Sequence, residues 1–159
     1  MLVHMKSILT LFCLILSGSL LSQQPTLNIS ISRDTVLLGN AFYIQYTFDS
    51  KNAQFIAPDI KDGDVISQSF SSNTSIMDGE IKALHKQKYL IQPSHTGVFI
   101  IPGTIIKTSG SIGDIEVPQV QIIVKENPNQ LDIDPEDGKE WLLIDILAGN
   151  IVKRKSKKL

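Results

Sequence analysis

Apolar and polar side chains alternate along three stretches of the chain between residues 26 and 125. In residues 42–48 every second side chain is aromatic or aliphatic, and residues 27–31 and 120–124 repeat the pattern. Successive side chains of a β-strand point to opposite faces, so a period of two predicts strands with one face on a core and one in water. No helical period of 3.6 residues is present in this part of the chain.

Less regular stretches predict further strands. Residues 81–92 are long enough to cross a sheet, and residues 98–101 are a continuous apolar run, which predicts a strand covered on both faces. Asp78-Gly79 is typical of a two-residue hairpin turn, and it joins residues 71–77 to the long strand that follows.

The number and spacing of these stretches predict the fold class. About seven to nine short strands separated by turns, in a body of about 100 residues, indicate an all-β, Ig-like antiparallel β-sandwich. We place this domain at residues 23–126. The Cys…Trp…Cys core of antibody domains is absent, so "Ig-like" refers to architecture alone.

The first 22 residues have the features of a secretory signal peptide. Lys6 precedes an apolar run at residues 8–16, and Ser22 is a small residue at a suitable cleavage point. A buried helix or a membrane anchor is the alternative, but the run is shorter than the roughly 20 residues that a spanning helix needs. The single cysteine, Cys13, lies in this run, so the processed protein would contain no thiol.

After residue 126 the composition changes. Residues 127–140 are acidic and rich in turn-forming residues, and we interpret them as a linker. Residues 141–159 combine a short apolar segment with a basic tail, which predicts a short helical or unstructured end, with peripheral membrane contact through the basic residues. There are two alternatives for this segment. It could be a helix that docks on the domain, or it could be a strand of an adjoining domain that is cut short.

Charge argues against one class of partner. The formal net charge is −1, whereas a nucleic-acid-binding protein needs an excess of lysine and arginine to displace counterions. All 16 acidic residues precede residue 151, so the five basic residues after it stand apart from the rest of the chain.

Candidate chemistry is sparse, and we assign no catalytic, cofactor-binding or metal-binding residue. His85 and His95 lack the spacing and the cysteine partners of a metal site, which favours surface or edge histidines. Acidic residues at 59–64 and 132–138 could hold Ca²⁺. The second run has alternating oxygen ligands but lacks the full calcium-loop pattern, so a solvated acidic linker is favoured. The sequence therefore predicts a protein that is not an enzyme and needs no cofactor, and it leaves the binding residues unknown.

Several blocks in residues 26–125 resemble the N-terminal Ig-like domain of one bacterial family. This is the BatD-like family, also named the aerotolerance or "oxygen tolerance" family. The most specific block is Tyr89 to Pro93 followed by Gly97 to Pro102, which is similar to the family's "Y-x-[apolar]-x-P-x-x-x-G-x-F-x-I-P". The other matching blocks are Val36-Leu37-Leu38-Gly39-Asn40-Ala41-Phe42-Tyr43-Ile44-Gln45-Tyr46, Phe55-Ile56-Ala57-Pro58, the Ser-rich stretch from Ser67 to Gly79, and the closing strand Val120 to Val124.

This resemblance implies a function as well as a fold. It implies an exported, non-enzymatic protein-binding module in the periplasm or on the periplasmic face of the membrane. Its expected partners are von Willebrand factor A-type envelope proteins, together with a MoxR-type ATPase. Two alternatives stay open: a carbohydrate- or ligand-binding β-sandwich, and a fragment of a longer multidomain membrane protein, since family members are usually longer.

Overall fold

A computed structural model describes residues 26–50, 52–77, 80–109, 113–135, 140–147 and 150–157. The predicted signal peptide and the Asp78-Gly79 turn lie outside these residues. None of the described residues is helical, and accordingly none belongs to a helix that could cross a membrane. The strands are β1 Leu27–Ile31, β2 Thr35–Leu37, β3 Phe42–Asp49, β4 Ala53–Phe55, β5 Gly63–Met77, β6 Glu80–Pro93, β7 Gly97–Ile101, β8 Thr104–Thr108, β9 Ile115–Val117, β10 Val120–Lys125, β11 Glu140–Leu147 and β12 Asn150–Lys157.

The strands form one large sheet and two small ones. The large sheet has the order β12-β11-β1-β3-β6-β5, and every neighbouring pair in it is antiparallel. The small sheets have the orders β2-β10-β7 and β4-β8-β9. All pairs in the small sheets are antiparallel except β2 with β10, which run parallel.

The core lies between the large sheet and the two small ones. On β3 the side chains alternate between buried and half-buried, and on β10 they alternate between buried and exposed, as the period of two predicts. Aromatic rings join the layers: Phe42 meets Phe99 of one small sheet edge-to-face at 5.9 Å, and Tyr46 meets Phe55 of the other at 4.9 Å. The all-β sandwich fold is therefore confirmed.

The prediction that residues 98–101 are covered on both faces is wrong. In β7, Phe99 and Ile101 are buried, but Val98 and Ile100 are 58% and 42% exposed. β7 is the edge strand of its small sheet, and its outward-facing side chains stay exposed in the described part of the chain. Because every position in this run is apolar, the pattern could not distinguish a one-sided strand from a two-sided one.

The prediction of a short helical or unstructured tail is also wrong. β11 and β12 form an antiparallel hairpin, and β11 pairs with β1 from Leu27↔Ile146 to Ile31↔Leu142. Ile144 of β11 is only 3% exposed and belongs to the core. Without β11, β1 would leave a row of backbone donors and acceptors unpaired beside the core, and this demand favours a strand. The proposed domain boundaries at residues 126 and 140 stay a prediction.

The acidic segment that follows β10 is fastened to the domain by its backbone. Asn40 is only 5% exposed; its side-chain amide donates to the carbonyl oxygen of Leu131 at 2.8 Å and accepts from the amide of Ile133 at 2.6 Å. Arg33 donates to the carbonyl oxygen of Asp134 at 2.6 Å. Residues 131–134 therefore follow a fixed path, although the side chains of Asp132 and Asp134 are exposed as expected.

We expect Asn40→Ala to lower the free energy of unfolding by about 1–3 kcal/mol, because it leaves the partly buried amide of Ile133 without its acceptor. The carbonyl oxygen of Leu131 would keep its second donor, the side-chain amide of Asn127 at 2.9 Å. Urea denaturation of the two proteins measures the difference. Asn129→Ala, in the exposed turn just before the segment, is the matched control and should change stability by less than about 0.5 kcal/mol. Equal effects of the two substitutions would contradict a role for Asn40 in fastening the segment.

Burial of Tyr46 makes stability depend on alkaline pH. Desolvation, and to a smaller extent the neighbouring Tyr89, raise the pKa of the Tyr46 phenol well above its ordinary value. The folded state therefore holds this proton more tightly than the unfolded chain does. Its contribution to stability is complete below about pH 10 and falls above it by about 1.4 kcal/mol per pH unit. Tyr46→Phe should remove that part of the slope between about pH 10 and pH 12 in urea denaturation, and an unchanged slope would contradict the assignment.

Candidate functional site

The most distinctive surface of the molecule is formed by the long hairpin of β5 and β6. The two strands pair from Gly63↔Pro93 to Met77↔Glu80, with a β-bulge between Val65 and Ser67. The predicted hairpin is confirmed by this register, although β5 begins at residue 63 and not at residue 71. β3 pairs with β6 only as far as Leu84, so the end of the hairpin projects beyond its neighbour in the sheet.

β5 is an open edge of the large sheet. Within the described chain no strand pairs with its second side, and every residue from Asp64 to Ile76 is exposed. From residue 65 to residue 77 the strand contains no charged residue and no proline. Proteins usually protect such edges with lysine, proline or bulges, because unpaired backbone groups recruit other strands. Beyond the bulge near its start, β5 has none of these protections.

The opposite edge of the same sheet has a different character. β12 contains four basic residues, and its Lys153 and Arg154 are exposed. Positive charges on an edge strand disfavour pairing with another strand. The sheet therefore has one edge that disfavours pairing and one that permits it.

An aromatic stack lies beside the open edge. Phe70 of β5 is 61% exposed, and its ring stacks on His85 at a centroid distance of 5.8 Å and an interplanar angle of 16°. The ring of Phe48 also lies beside that of His85, at a centroid distance of 5.2 Å. Phe70 thus points to the same side of the sheet as the core, but the second layer leaves most of it uncovered.

The two histidines occupy different environments. His85 is half-buried in the aromatic stack, and its Nε2 lies 2.7 Å from the carbonyl oxygen of Ser50, to which it donates in the tautomer protonated there. Its Nδ1 is buried and has no hydrogen-bond partner among the residues that the structure describes. His95 is exposed in the turn after β6, where its Nδ1 lies 3.2 Å from the hydroxyl oxygen of Ser94. The expectation of a surface or edge histidine therefore describes His95 better than His85.

The structure does not bring together the described parts of the two acidic stretches, residues 59–64 and 132–138, that were candidates for a calcium site. Asp59 forms an exposed ion pair with Lys61 at 3.4 Å, and the second acidic stretch lies on the fastened segment after β10. Among the described residues, no group of three or more histidine, cysteine, aspartate or glutamate side chains is placed to hold a metal ion.

The outer surfaces of the small sheets expose further apolar side chains. Val98 of β7 lies opposite Ile123 of β10, and both are more than half exposed. On the β4-β8-β9 sheet, an open groove of about 480 Å³ is lined by Ile56, Gly103, Thr104, Ile105, Lys107, Glu116 and Val117. None of these described lining residues carries an aromatic ring.

Comparison of the sequence with models of known protein families shows which family the chain belongs to. A family model described as the BatD DUF11 like domain matches residues 29–132, about two thirds of the chain. The chain belongs to the BatD family. This family consists of aerotolerance-related proteins of the cell envelope. No curated protein and no solved structure matches the chain.

The BatD match runs from β1 through β10 and ends in the segment that Asn40 fastens, so it includes the open edge and excludes the β11-β12 hairpin. Sequence reasoning missed Phe70 and the start of β5, because a serine-rich strand exposed on both faces has little apolar alternation. The available signal was the absence of charge and proline between residues 65 and 77.

Proposed function

We propose that this BatD-family chain is a non-enzymatic protein-binding module of the cell envelope, which accepts a β-strand of another polypeptide along β5. The observation that carries the proposal is the exposed, uncharged and proline-free edge between residues 65 and 77. An added strand gains affinity from backbone hydrogen bonds and selectivity from side chains on either side of the edge. Phe70 supplies an aromatic contact on the inner side.

The compartment and the partner class are part of the same proposal. Family membership and the apolar run after Lys6 support export to the periplasm or to the periplasmic face of the membrane. The resemblance adds von Willebrand factor A-type proteins as partners, acting with a MoxR-type ATPase. Exposed Lys153 and Arg154 support peripheral contact of β12 with an anionic membrane surface.

A carbohydrate- or ligand-binding sandwich is the second candidate, and the open groove on the β4-β8-β9 sheet favours it. Sugar-binding sites commonly stack a ring of the ligand on an aromatic side chain, and the groove provides none. Phe70 is the one aromatic residue among the large exposed hydrophobic side chains of the described chain, and it lies at the β5 edge. The strand-binding proposal uses this residue, whereas the ligand-binding proposal leaves it unexplained.

Site-specific photocrosslinking tests the proposed function. A photoreactive amino acid at Ser71, on β5, should give covalent adducts with another polypeptide in intact envelopes. The same amino acid at Gln121, an exposed position of β10, is the matched control and should give at least about tenfold less adduct. Adduct formation at Ser71 no greater than at Gln121 would contradict binding along the β5 edge.

A further inference from the structure

We infer that the strand accepted by β5 is β5 of a second copy of this chain, paired antiparallel across a two-fold axis at Asn73. The inference rests on the proposed function, because it uses the same open edge and specifies its occupant. Pairing of this kind would join two six-stranded sheets into one continuous sheet. The second copy uses the same surface as the first, so the assembly is closed at a dimer.

Pairing about Asn73 places side chains of similar chemistry opposite each other on the two copies of β5. In this register each residue faces the residue equally far from Asn73 on the other copy, so Phe70 lies opposite Ile76. Ser71 then faces Ser75, and Ser72 faces Thr74. Aromatic residues opposite β-branched ones, and hydroxyl groups opposite hydroxyl groups, are favourable cross-strand pairs in antiparallel sheets.

The register also buries what the fold of one copy leaves exposed. Phe70 is 61% exposed and Ile76 is 74% exposed, the largest values among the exposed hydrophobic residues of β5. Both lie at even positions after the bulge and therefore on one side of the strand. Rotation about a two-fold axis perpendicular to the sheet leaves this face of both copies on the same side of the enlarged sheet. Two Phe70–Ile76 pairs therefore form, one on each side of the axis.

Other two-fold registers make poorer pairs. An axis at Phe70 would place the two phenylalanine rings opposite each other, but it would also place each Ile76 opposite Asp64. An axis at Ser72 would oppose Phe70 with Thr74 and Ile76 with Gln68. Among these registers, the axis at Asn73 is the one that gives both exposed apolar side chains an apolar partner.

The two edges of the large sheet explain why pairing would stop at two copies. Joining β5 to β5 leaves β12 at both ends of the enlarged sheet, and β12 contains four basic residues. Like charges on facing strands oppose further edge-to-edge growth.

Disulfide trapping tests the register. In a Cys13→Ser background of the full chain, Asn73→Cys places the two new thiols opposite each other, at the Cα separation of about 4.5–5.5 Å that a disulfide requires. Ser71→Cys is the matched control, because the two copies of that residue would be about 13 Å apart along the strands. Mild oxidation should give a covalent dimer with Asn73→Cys and none with Ser71→Cys alone.

Mixing two different cysteine variants provides a second test of the register. Ser71→Cys mixed with Ser75→Cys should give a covalent dimer that neither variant forms by itself, because those positions face each other. Asn73→Lys, which opposes two lysines, should halve the mass measured by light scattering. Ser75→Lys, with the same charge on the same face, opposes each lysine with a serine and should retain more dimer.

A covalent dimer of Ser71→Cys alone, or none of Asn73→Cys, overturns the inference. If the native chain is monomeric while photocrosslinking at Ser71 still captures a different envelope protein, the inference fails and the proposed function stands. If the native chain is monomeric and photocrosslinking at Ser71 gives no adduct above the Gln121 control, both fail.

Discussion

Replacing Phe42 by alanine should lower the free energy of unfolding by about 3–5 kcal/mol, the typical loss for a buried phenylalanine. Phe42 is fully buried on β3, a central strand of the large sheet, and its ring packs edge-to-face on Phe99 of β7. The substitution removes apolar contacts from both layers at once and leaves a cavity between them. Equilibrium denaturation in guanidinium chloride measures the change.

Tyr43→Ala is the control for Phe42→Ala, because the next side chain along β3 points to the opposite face of the sheet. Tyr43 is half-buried, and the Lys88 ammonium lies 3.6 Å from the centroid of its ring. Loss of that cation–π contact should cost about 0.5–1 kcal/mol. A loss at Tyr43 equal to the loss at Phe42 would contradict the assignment of the two faces of β3.

Replacing Ile144 by alanine should destabilise the whole domain by about 2–4 kcal/mol, because this residue of β11 is part of the common core. Its backbone pairs with Ile29 of β1, so loss of packing at β11 should be transmitted to the sheet. Chemical denaturation followed by tryptophan fluorescence and by far-UV circular dichroism should show one shifted transition.

Ile151→Ala is the matched control for Ile144→Ala, with the same change of side chain on the adjacent strand β12. Ile151 is 55% exposed, so its truncation should change stability by less than about 0.5 kcal/mol. If Ile144→Ala left the main transition in place, β11 would be an appendage and not a strand of the domain.

The alternation of side chains predicted the strands that form the core. β3 and β10 have one buried face each because their apolar residues recur at every second position, and this information is local to the strand. The pattern of residues 141–152 predicts the wrong structure, because a short run rich in leucine and isoleucine suits a helix and a strand equally well. What decides between them is the free side of β1, which lies more than 100 residues away along the chain.

The candidate site was harder to predict than the fold. Whether β5 is an edge depends on which strands flank it, and the strand order of a sheet is not encoded in the pattern of any one strand. Phe70 appears in the sequence as an aromatic residue among serines, and only the extent of the second layer shows that it is exposed. The family resemblance implies the fold, which the structure confirms, and a compartment, which stays a prediction. One of its matching blocks is the Ser-rich stretch from Ser67 to Gly79, but the pattern of that block does not show that β5 is an edge.

Amide hydrogen exchange along β5 is the most direct test of a binding role for this edge. Exchange of residues 66–76 can be measured in dilute purified protein, in concentrated protein, and after addition of envelope extract, with β12 as the internal reference. We expect alternate β5 amides to exchange rapidly in the dilute protein and to become at least about tenfold slower in one of the other two conditions, while those of β12 stay unchanged. If β5 exchanges equally fast in all three conditions, no strand binds there and the proposed role is wrong.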